Sequence, residues 1–81
     1  MEKEIIIKST VGLHASLAAK LVQVASKYDA EVQLIYHDKV VDAKSVLGLI
    51  SLAIPSGENV VLVSKGNDAE KALKEIQKIL C

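Results

Sequence analysis

The segment that decides the fold is residues 9–19, STVGLHASLAA, where a strand gives way to a helix. Three consecutive isoleucines at residues 5–7 precede it, and β-branched residues at that density favour a buried strand. After His14 the sequence becomes alanine-rich with helical spacing. The first N–H groups of a helix have no intrahelical acceptor, and the helix dipole places positive potential there. The segment therefore predicts a phosphate site at His14, with the backbone N–H groups of Ser16 and Leu17 as donors.

The composition indicates one small globular domain that spans residues 1–81. Hydrophobic residues make up 51% of the chain, which excludes a disordered protein. Ten lysines balance ten acidic residues and there is no arginine, whereas nucleic-acid-binding modules usually carry a basic surplus. Tyr28 and Tyr36 are the only tyrosines, and phenylalanine and tryptophan are absent, so few side chains can stack on a base. The sequence thus argues against a nucleic-acid partner.

The cysteine content and the length of the apolar runs bear on the compartment. Cys81 is the only cysteine and has no partner for an intramolecular disulfide, which fits a reducing environment. No apolar run approaches the roughly 20 residues of a membrane span, and no signal peptide precedes the isoleucine strand. We therefore expect a cytoplasmic protein without membrane insertion.

Hydrophobic periodicity predicts seven elements in the order βαββαβα. The predicted strands are residues 2–8, 31–36, 40–41 and 59–65, with the second and third forming a hairpin. The predicted helices are residues 15–27, a short helix capped by Ser45, and a last helix capped by Asn67 or Asp68. This order predicts an α+β fold, a two-layer open-faced sandwich in which three helices cover one face of a four-stranded antiparallel sheet. The short middle helix is expected at the edge of the sheet.

Two motifs resemble one protein family. Residues 12–15, GLHA, and residues 43–50, AKSVLGLI, are similar in sequence and spacing to the histidine-containing phosphocarrier protein, HPr, of the sugar phosphotransferase system. The resemblance covers essentially the whole chain. It implies that Nδ1 of His14 accepts a phosphoryl group from phosphorylated enzyme I and passes it to an enzyme II component. It implies a carrier rather than a stand-alone enzyme, with neither a cofactor nor a metal.

The sequence departs from the HPr pattern directly after His14 and Ala15. HPr proteins continue with Arg and Pro, whereas this chain has Ser16 and Leu17, and no arginine elsewhere replaces the lost one. An arginine holds a phosphate through a planar fork of donors. The hydroxyl of Ser16, the additional N–H of Leu17 and a point charge from Lys20 are weaker substitutes. We therefore expect slower transfer at an intact acceptor.

A second expectation, regulation by phosphorylation, concerns Ser45. The role of a helix cap alone would already explain a serine at this position. In some bacterial members of the HPr family, the serine that matches Ser45 is phosphorylated by a dedicated kinase, and the modified form binds a transcription regulator. The resemblance therefore implies a serine kinase and a transcription regulator as further partners. Leu47, Leu49 and Ile50 are core residues by default, and the exposed side of their short helix is a candidate partner surface.

Three functional classes stay open. The first is a monomeric phosphocarrier that uses His14 and works with enzyme I and enzyme II proteins. The second is a regulatory HPr-like protein that binds partners around His14 and Ser45 without transferring phosphate, which the missing arginine favours. The third is an unrelated ligand- or RNA-binding sandwich, which the neutral charge and the scarcity of aromatic residues disfavour. The second histidine, His37, is expected to be a turn residue only.

Overall fold

The computed structural model describes all 81 residues, and its seven elements follow the predicted order βαββαβα. They are β1 (Glu2–Ile6), α1 (Ala15–Lys27), β2 (Glu31–Tyr36), β3 (Lys39–Asp42), α2 (Val46–Ser51), β4 (Asn59–Lys65) and α3 (Ala69–Leu80). The predicted bounds of α1, β2 and β4 are confirmed. None of the three helices is long and apolar enough to cross a membrane.

The four strands form one sheet in the order β1-β4-β2-β3, and every neighbouring pair is antiparallel. β2 and β3 form the predicted hairpin, in which Tyr36 pairs with Lys39 across a two-residue turn. β4 and β2 lie in the centre of the sheet, so β1 and β3 are its edge strands. The predicted antiparallel sheet is therefore confirmed.

The helices pack on one face of this sheet and form the predicted open-faced sandwich. Alternate residues of the central strands are buried under them, Val32 and Leu34 in β2 and Val60 and Leu62 in β4. They join one core of 19 buried residues drawn from the strands, the helices and their connecting loops. α2 lies against α1 and the edge strand β3, so it is at the edge of the sheet, as predicted.

β1 ends two residues earlier than predicted, at Ile6 rather than at Lys8. Ile7 is fully buried but leaves the strand ladder. Its N–H donates to the carbonyl of Glu58, and its carbonyl accepts from the N–H of Gly57, both in the loop before β4. A run of β-branched residues predicts extended backbone, but it does not indicate where the hydrogen-bonding partner changes from a strand to a loop.

The start of α3 is confirmed at one of the two predicted residues. Asp68 is the N-cap residue, but its side chain does not make the expected capping hydrogen bond. Asp68 Oδ2 instead accepts from the N–H of Asp29 at 2.9 Å, and Asn67 Nδ2 donates to Asp29 Oδ2 at 2.8 Å. Both side chains therefore tie the start of α3 to the loop after α1, a tertiary contact between distant parts of the sequence.

The loop after α2 contains a backbone conformation that is costly for alanine. Ala53 has φ 50°, and its N–H donates to the carbonyl of Ile50, in the left-handed position that glycine usually occupies at a helix end. This conformation costs a non-glycine residue roughly 1–2 kcal/mol. Glycine avoids that cost, but it also makes the unfolded chain more flexible, which offsets part of the gain. We expect Ala53→Gly to raise the free energy of unfolding by about 0.5–1 kcal/mol in urea denaturation. Ala53→Val should lower the free energy of unfolding. Equal urea midpoints for the wild type and both variants would mean that the backbone at Ala53 is not strained.

Candidate functional site

A glycine turn sets the start of the site. Gly12 has φ 74°, and a Cβ atom there would collide with the carbonyl oxygen of Ile54 and lie 2.9 Å from Pro55 Cα. Its N–H donates to the carbonyl of Ser9 at 3.1 Å. Only glycine fits here, because the backbone is left-handed and because it lies too close to the loop after α2 to leave room for a Cβ atom. Neither Gly12 nor Ile54 was assigned a role from the sequence, although a glycine between a strand and a helix is a turn signal.

Two residues carry the chain from this turn into α1. Leu13 is buried, and its N–H donates to the carbonyl of Ile54 at 2.8 Å. His14 is the N-cap residue, with extended backbone (φ −117°, ψ 178°), and its carbonyl accepts from the N–H of Ala18 at 2.8 Å. The backbone of His14 is thus held by a buried anchor on one side and by the helix on the other.

The imidazole of His14 is exposed and makes no hydrogen bond or ion pair within the chain. The N–H groups of Ser16 and Leu17 have no backbone acceptor, because Ala18 is the first residue of α1 whose N–H is bonded. The first turn of α1 contains no acidic residue that would occupy these donors. Free amide donors at the positive end of a helix favour an anion. The imidazole and these donors therefore share one end of α1.

A shallow depression of about 150 Å³ is lined by His14, Ser16, Leu17 and Lys20. The structure thus brings together the three residues predicted at the phosphate site, and it adds the one lysine proposed as a substitute cation. The volume is below the roughly 300–1,000 Å³ of small-molecule pockets. The depression suits a phosphoryl group that another protein presents better than it suits a free nucleotide.

The largest depression in the molecule lies elsewhere and does not compete with this site. It has about 400 Å³ and is lined by residues 28–31, Lys44, Lys65 and Gly66. It contains no histidine or cysteine, and its two lysines are accompanied by the carboxylates of Asp29 and Glu31. Size alone therefore does not indicate the functional centre of this protein.

The second histidine lies in the β2–β3 turn, as predicted. His37 has φ 55°, its ring packs against the ring of Tyr36, and its Nε2 lies 3.9 Å from Glu58 Oε1. The hydroxyl of Tyr36 donates to Glu58 Oε1 at 2.8 Å, and this hydrogen bond is the main cause that raises the pKa of Tyr36. These contacts join the hairpin turn to the loop before β4. His37 therefore contacts the side chains of Tyr36 and Glu58 and does not lie at the start of a helix, where free N–H groups would bind an anion.

Ser45 caps α2 as predicted. Its Oγ accepts from the N–H of Gly48 at 3.1 Å, and the residue is exposed. α2 is about 9 Å long and leads towards Ile54, whose carbonyl accepts from Leu13. Ser45 therefore lies at the end of α2 away from the Leu13–Ile54 hydrogen bond, and it does not line the depression at His14.

The predicted partner surface on α2 is wrong at one of its three residues. Leu47 is 81% exposed and Ile50 is 37% exposed, as a docking surface requires. Leu49 is completely buried in the core and is unable to contact a partner. Residues two positions apart lie on nearly opposite sides of a helix, so Leu47 and Leu49 were not both able to face solvent. The apolar sequence of α2 did not indicate which side was which.

The whole chain, residues 1–81, matches the PTS-HPr family, the HPr component phosphorylation site of the phosphotransferase system. The chain belongs to this HPr family. Members of the family work with the enzymes of the phosphotransferase system, and the resemblance seen in the sequence is confirmed.

Three proteins that are similar to this chain are named NPr, HPr and Crh. Over 76 residues the chain is 41% identical to phosphocarrier protein NPr of Shewanella violacea, covering 94% of this chain and 84% of that protein. It superposes on phosphocarrier protein HPr of Bacillus anthracis with a TM-score of 0.96 at 33% identity, over 100% of this chain and 96% of the other. With a TM-score of 0.80 at 35% identity, it superposes on the catabolite repression protein Crh of Bacillus subtilis, a domain-swapped dimer, over 96% and 90% of the two chains.

Proposed function

We propose that this protein is a phosphocarrier of a phosphoenolpyruvate-dependent sugar phosphotransferase system. His14 accepts a phosphoryl group from enzyme I and passes it to an enzyme II component. The observation that carries the proposal is an exposed imidazole with no internal hydrogen bond, placed beside the unbonded N–H groups of Ser16 and Leu17. The NPr and HPr relatives, both phosphocarriers by name, support it.

The transfer needs little chemistry from the protein. A neutral imidazole is a nucleophile near pH 7. The lone pair of His14 Nδ1 forms the N–P bond while the bond between phosphorus and enzyme I breaks, and the proton on Nε2 stays in place. The transferred group carries its negative charge on three oxygens, and catalysis depends on positioning and on stabilising that charge. Reversal of the same step at an enzyme II protein regenerates the free imidazole.

The groups that stabilise the phosphoryl oxygens are backbone N–H donors and one lysine. The N–H groups of Ser16 and Leu17 and the hydroxyl of Ser16 supply hydrogen bonds. Lys20 lines the same depression and forms no ion pair within the chain, so its ammonium is available to the phosphate. A lysine acts as a point charge, without the fork geometry of the arginine that other HPr proteins have at the position of Ser16.

Enzyme I and enzyme II proteins are proposed to dock around this end of α1 and on the exposed side of α2. Leu17 is half-buried at the depression, and Leu47 and Ile50 extend an apolar surface on the neighbouring helix. Apolar residues of this kind supply the centre of an interface. The protein is proposed to act as a monomer, since its helices cover the core without a second chain.

The proposal is tested by incubating the protein with a purified general enzyme I and phosphoenolpyruvate, followed by intact mass measurement at mildly alkaline pH. We expect a gain of about 80 Da, which is one phosphoryl group. The gain should disappear after brief acid treatment, because phosphohistidine is labile to acid, whereas phosphoserine survives it. No gain at any enzyme I concentration would contradict the proposal and favour the regulatory class.

That second class is favoured by a specific observation at Ser45. Its exposed hydroxyl lies beside Lys44 at the start of α2, on the same helix as the exposed Leu47. The Crh relative, named for catabolite repression, gives this class a precedent within the HPr family. In this class the protein binds partners around His14 and Ser45 without transferring phosphate, and phosphorylation of Ser45 by a serine kinase allows it to bind a transcription regulator.

Ser45→Asp is expected to keep the fold and to slow phosphorylation of His14. Asp is as good an N-cap as Ser, so thermal unfolding should be unchanged. A negative charge at Ser45 repels the incoming phosphoryl group, so the rate should fall, and the effect should be largest at low ionic strength. Ser45→Asn keeps the cap without the charge and is the matched control. If both variants accept phosphate at the wild-type rate, Ser45 does not regulate transfer.

A further inference from the structure

The face of the sheet that the helices leave open carries an apolar row. Strand register places Val61 beside Ile35 and Ile35 beside Val40, on the side opposite the buried residues of the same strands. Neighbouring strands are about 4.8 Å apart, so this row spans about 10 Å across β4, β2 and β3. Val63 extends it along β4, and these four residues are called the open-face patch. Val40 is 54% exposed, and the other three are half-buried.

Carboxylates border the open-face patch. On the same side of the sheet, register places Glu4 beside Val61 and Glu2 beside Val63. Glu31, at the start of β2, and Asp42, at the end of the edge strand β3, also occupy outward positions. All four residues are exposed, and none forms an ion pair, because the only ion pairs of the chain involve Glu58, Glu70 and Glu75. Carboxylates without an ion-pair partner thus lie on both sides of an apolar centre on this face, and Lys65 is the one cation among its outward positions.

The open face of the sheet and the rest of the molecule carry opposite net charges. The outward positions of the four strands hold four carboxylates and one lysine, Lys65, so their net charge is −3. The chain is neutral overall, and the rest of the molecule therefore carries +3. Lys65 and the neighbouring Lys44 both lie near Glu31, so the acidic excess is largest along β1. A surface of one charge sign attracts partners of the opposite sign.

The geometry points to the open-face patch as a docking surface for a basic protein, one whose interface has an apolar centre rimmed by lysine or arginine. Exposed apolar residues with a polar rim mark interaction sites, and complementary charge selects the partner. A second copy of this chain does not fit, because pairing two open faces would bring their carboxylates together. The patch lies on the layer opposite α1, so the basic partner binds while the imidazole of His14 stays accessible.

The experiment places a photo-cross-linking residue, p-benzoylphenylalanine, at position 40 or at position 47 in living cells that make the protein. Position 47 on α2 is the matched control on the opposite layer. The proteins cross-linked at position 40 are identified by mass spectrometry, purified, and tested by titration against the unmodified chain. We expect a basic protein whose Kd rises about tenfold or more with Glu4→Lys and with Val61→Thr, and falls at low salt. Glu75→Lys and Leu47→Ala, which make similar changes on the helical layer, should leave that Kd unchanged.

Three outcomes would overturn the inference. They are cross-links from position 40 only to other copies of this chain, the same partners captured from both positions, and no cross-link from position 40 at all. A partner whose Kd responds to Glu75→Lys as strongly as to Glu4→Lys binds by general charge attraction and would count against the patch as well. None of these outcomes depends on whether His14 carries phosphate.

Discussion

His14→Ala is expected to abolish phosphorylation by enzyme I, and no other variant in the chain should have so large an effect. The other groups that line the depression are poorer nucleophiles, because the hydroxyl of Ser16 is weak and the ammonium of Lys20 has no free lone pair. His14 is exposed and its side chain makes no internal contact by hydrogen bond, so the fold should be unaffected. The measurement is the gain of about 80 Da in intact mass, with circular dichroism as the check on folding.

The matched control for His14 is the other histidine. His37→Ala removes an exposed imidazole of the same chemistry from the β2–β3 turn, where no unbonded helix N–H groups are present. We expect wild-type phosphorylation from this variant. A gain of mass retained in His14→Ala and lost in His37→Ala would place the acceptor in the hairpin turn and contradict the site.

Ser16→Arg is expected to speed the transfer by about one to two decades. A hydrogen bond to a charged group contributes about 1.5–3 kcal/mol, and the effect appears in the rate when the bond forms mainly in the transition state. Ser16 is exposed and lines the depression beside His14, so a longer side chain has room there. The measurement is the initial rate of phosphorylation at limiting enzyme I.

A double-mutant cycle with Lys20→Ala tests whether the lysine now supplies the positive charge. Lys20→Ala should slow the wild type but should slow Ser16→Arg less, because the guanidinium then satisfies the same oxygens. Equal losses in both backgrounds would mean that Lys20 acts elsewhere. An unchanged rate for Ser16→Arg would mean that the missing arginine does not limit transfer in this protein.

Most of the fold could be predicted from the sequence because its signals are local. The apolar stripe of α1 recurs at helical spacing, and the structure buries Ala18, Leu21 and Ala25 from it. The hairpin and the cap by Ser45 depend on a few neighbouring residues. The features that could not be predicted depend on partners far along the chain. Asp68 bonds to Asp29 instead of capping its own helix, and Ile7 exchanges hydrogen bonds with residues 57–58.

For the site, too, features set by neighbouring residues could be predicted, and features set by contacts between distant residues could not. The placement of His14 at a helix start follows from adjacent residues and is seen in the structure. The close approach of Gly12 to Ile54 is a contact between two loops some forty residues apart, which local patterns do not reveal. Which of Leu47, Leu49 and Ile50 is buried could not be predicted, because every side of α2 is apolar or small and the periodicity therefore indicates no direction.

Passing the phosphoryl group onward separates a carrier from a protein that only accepts it, and a two-step relay measures this directly. The protein is phosphorylated with radiolabelled phosphoenolpyruvate and enzyme I, freed of both, and mixed with a purified panel of enzyme II components. We expect that label leaves His14 and appears on an enzyme II protein, at a rate that rises with enzyme II concentration. Label that stays on His14 with every component, or that is lost only to water, would contradict the proposed phosphocarrier function.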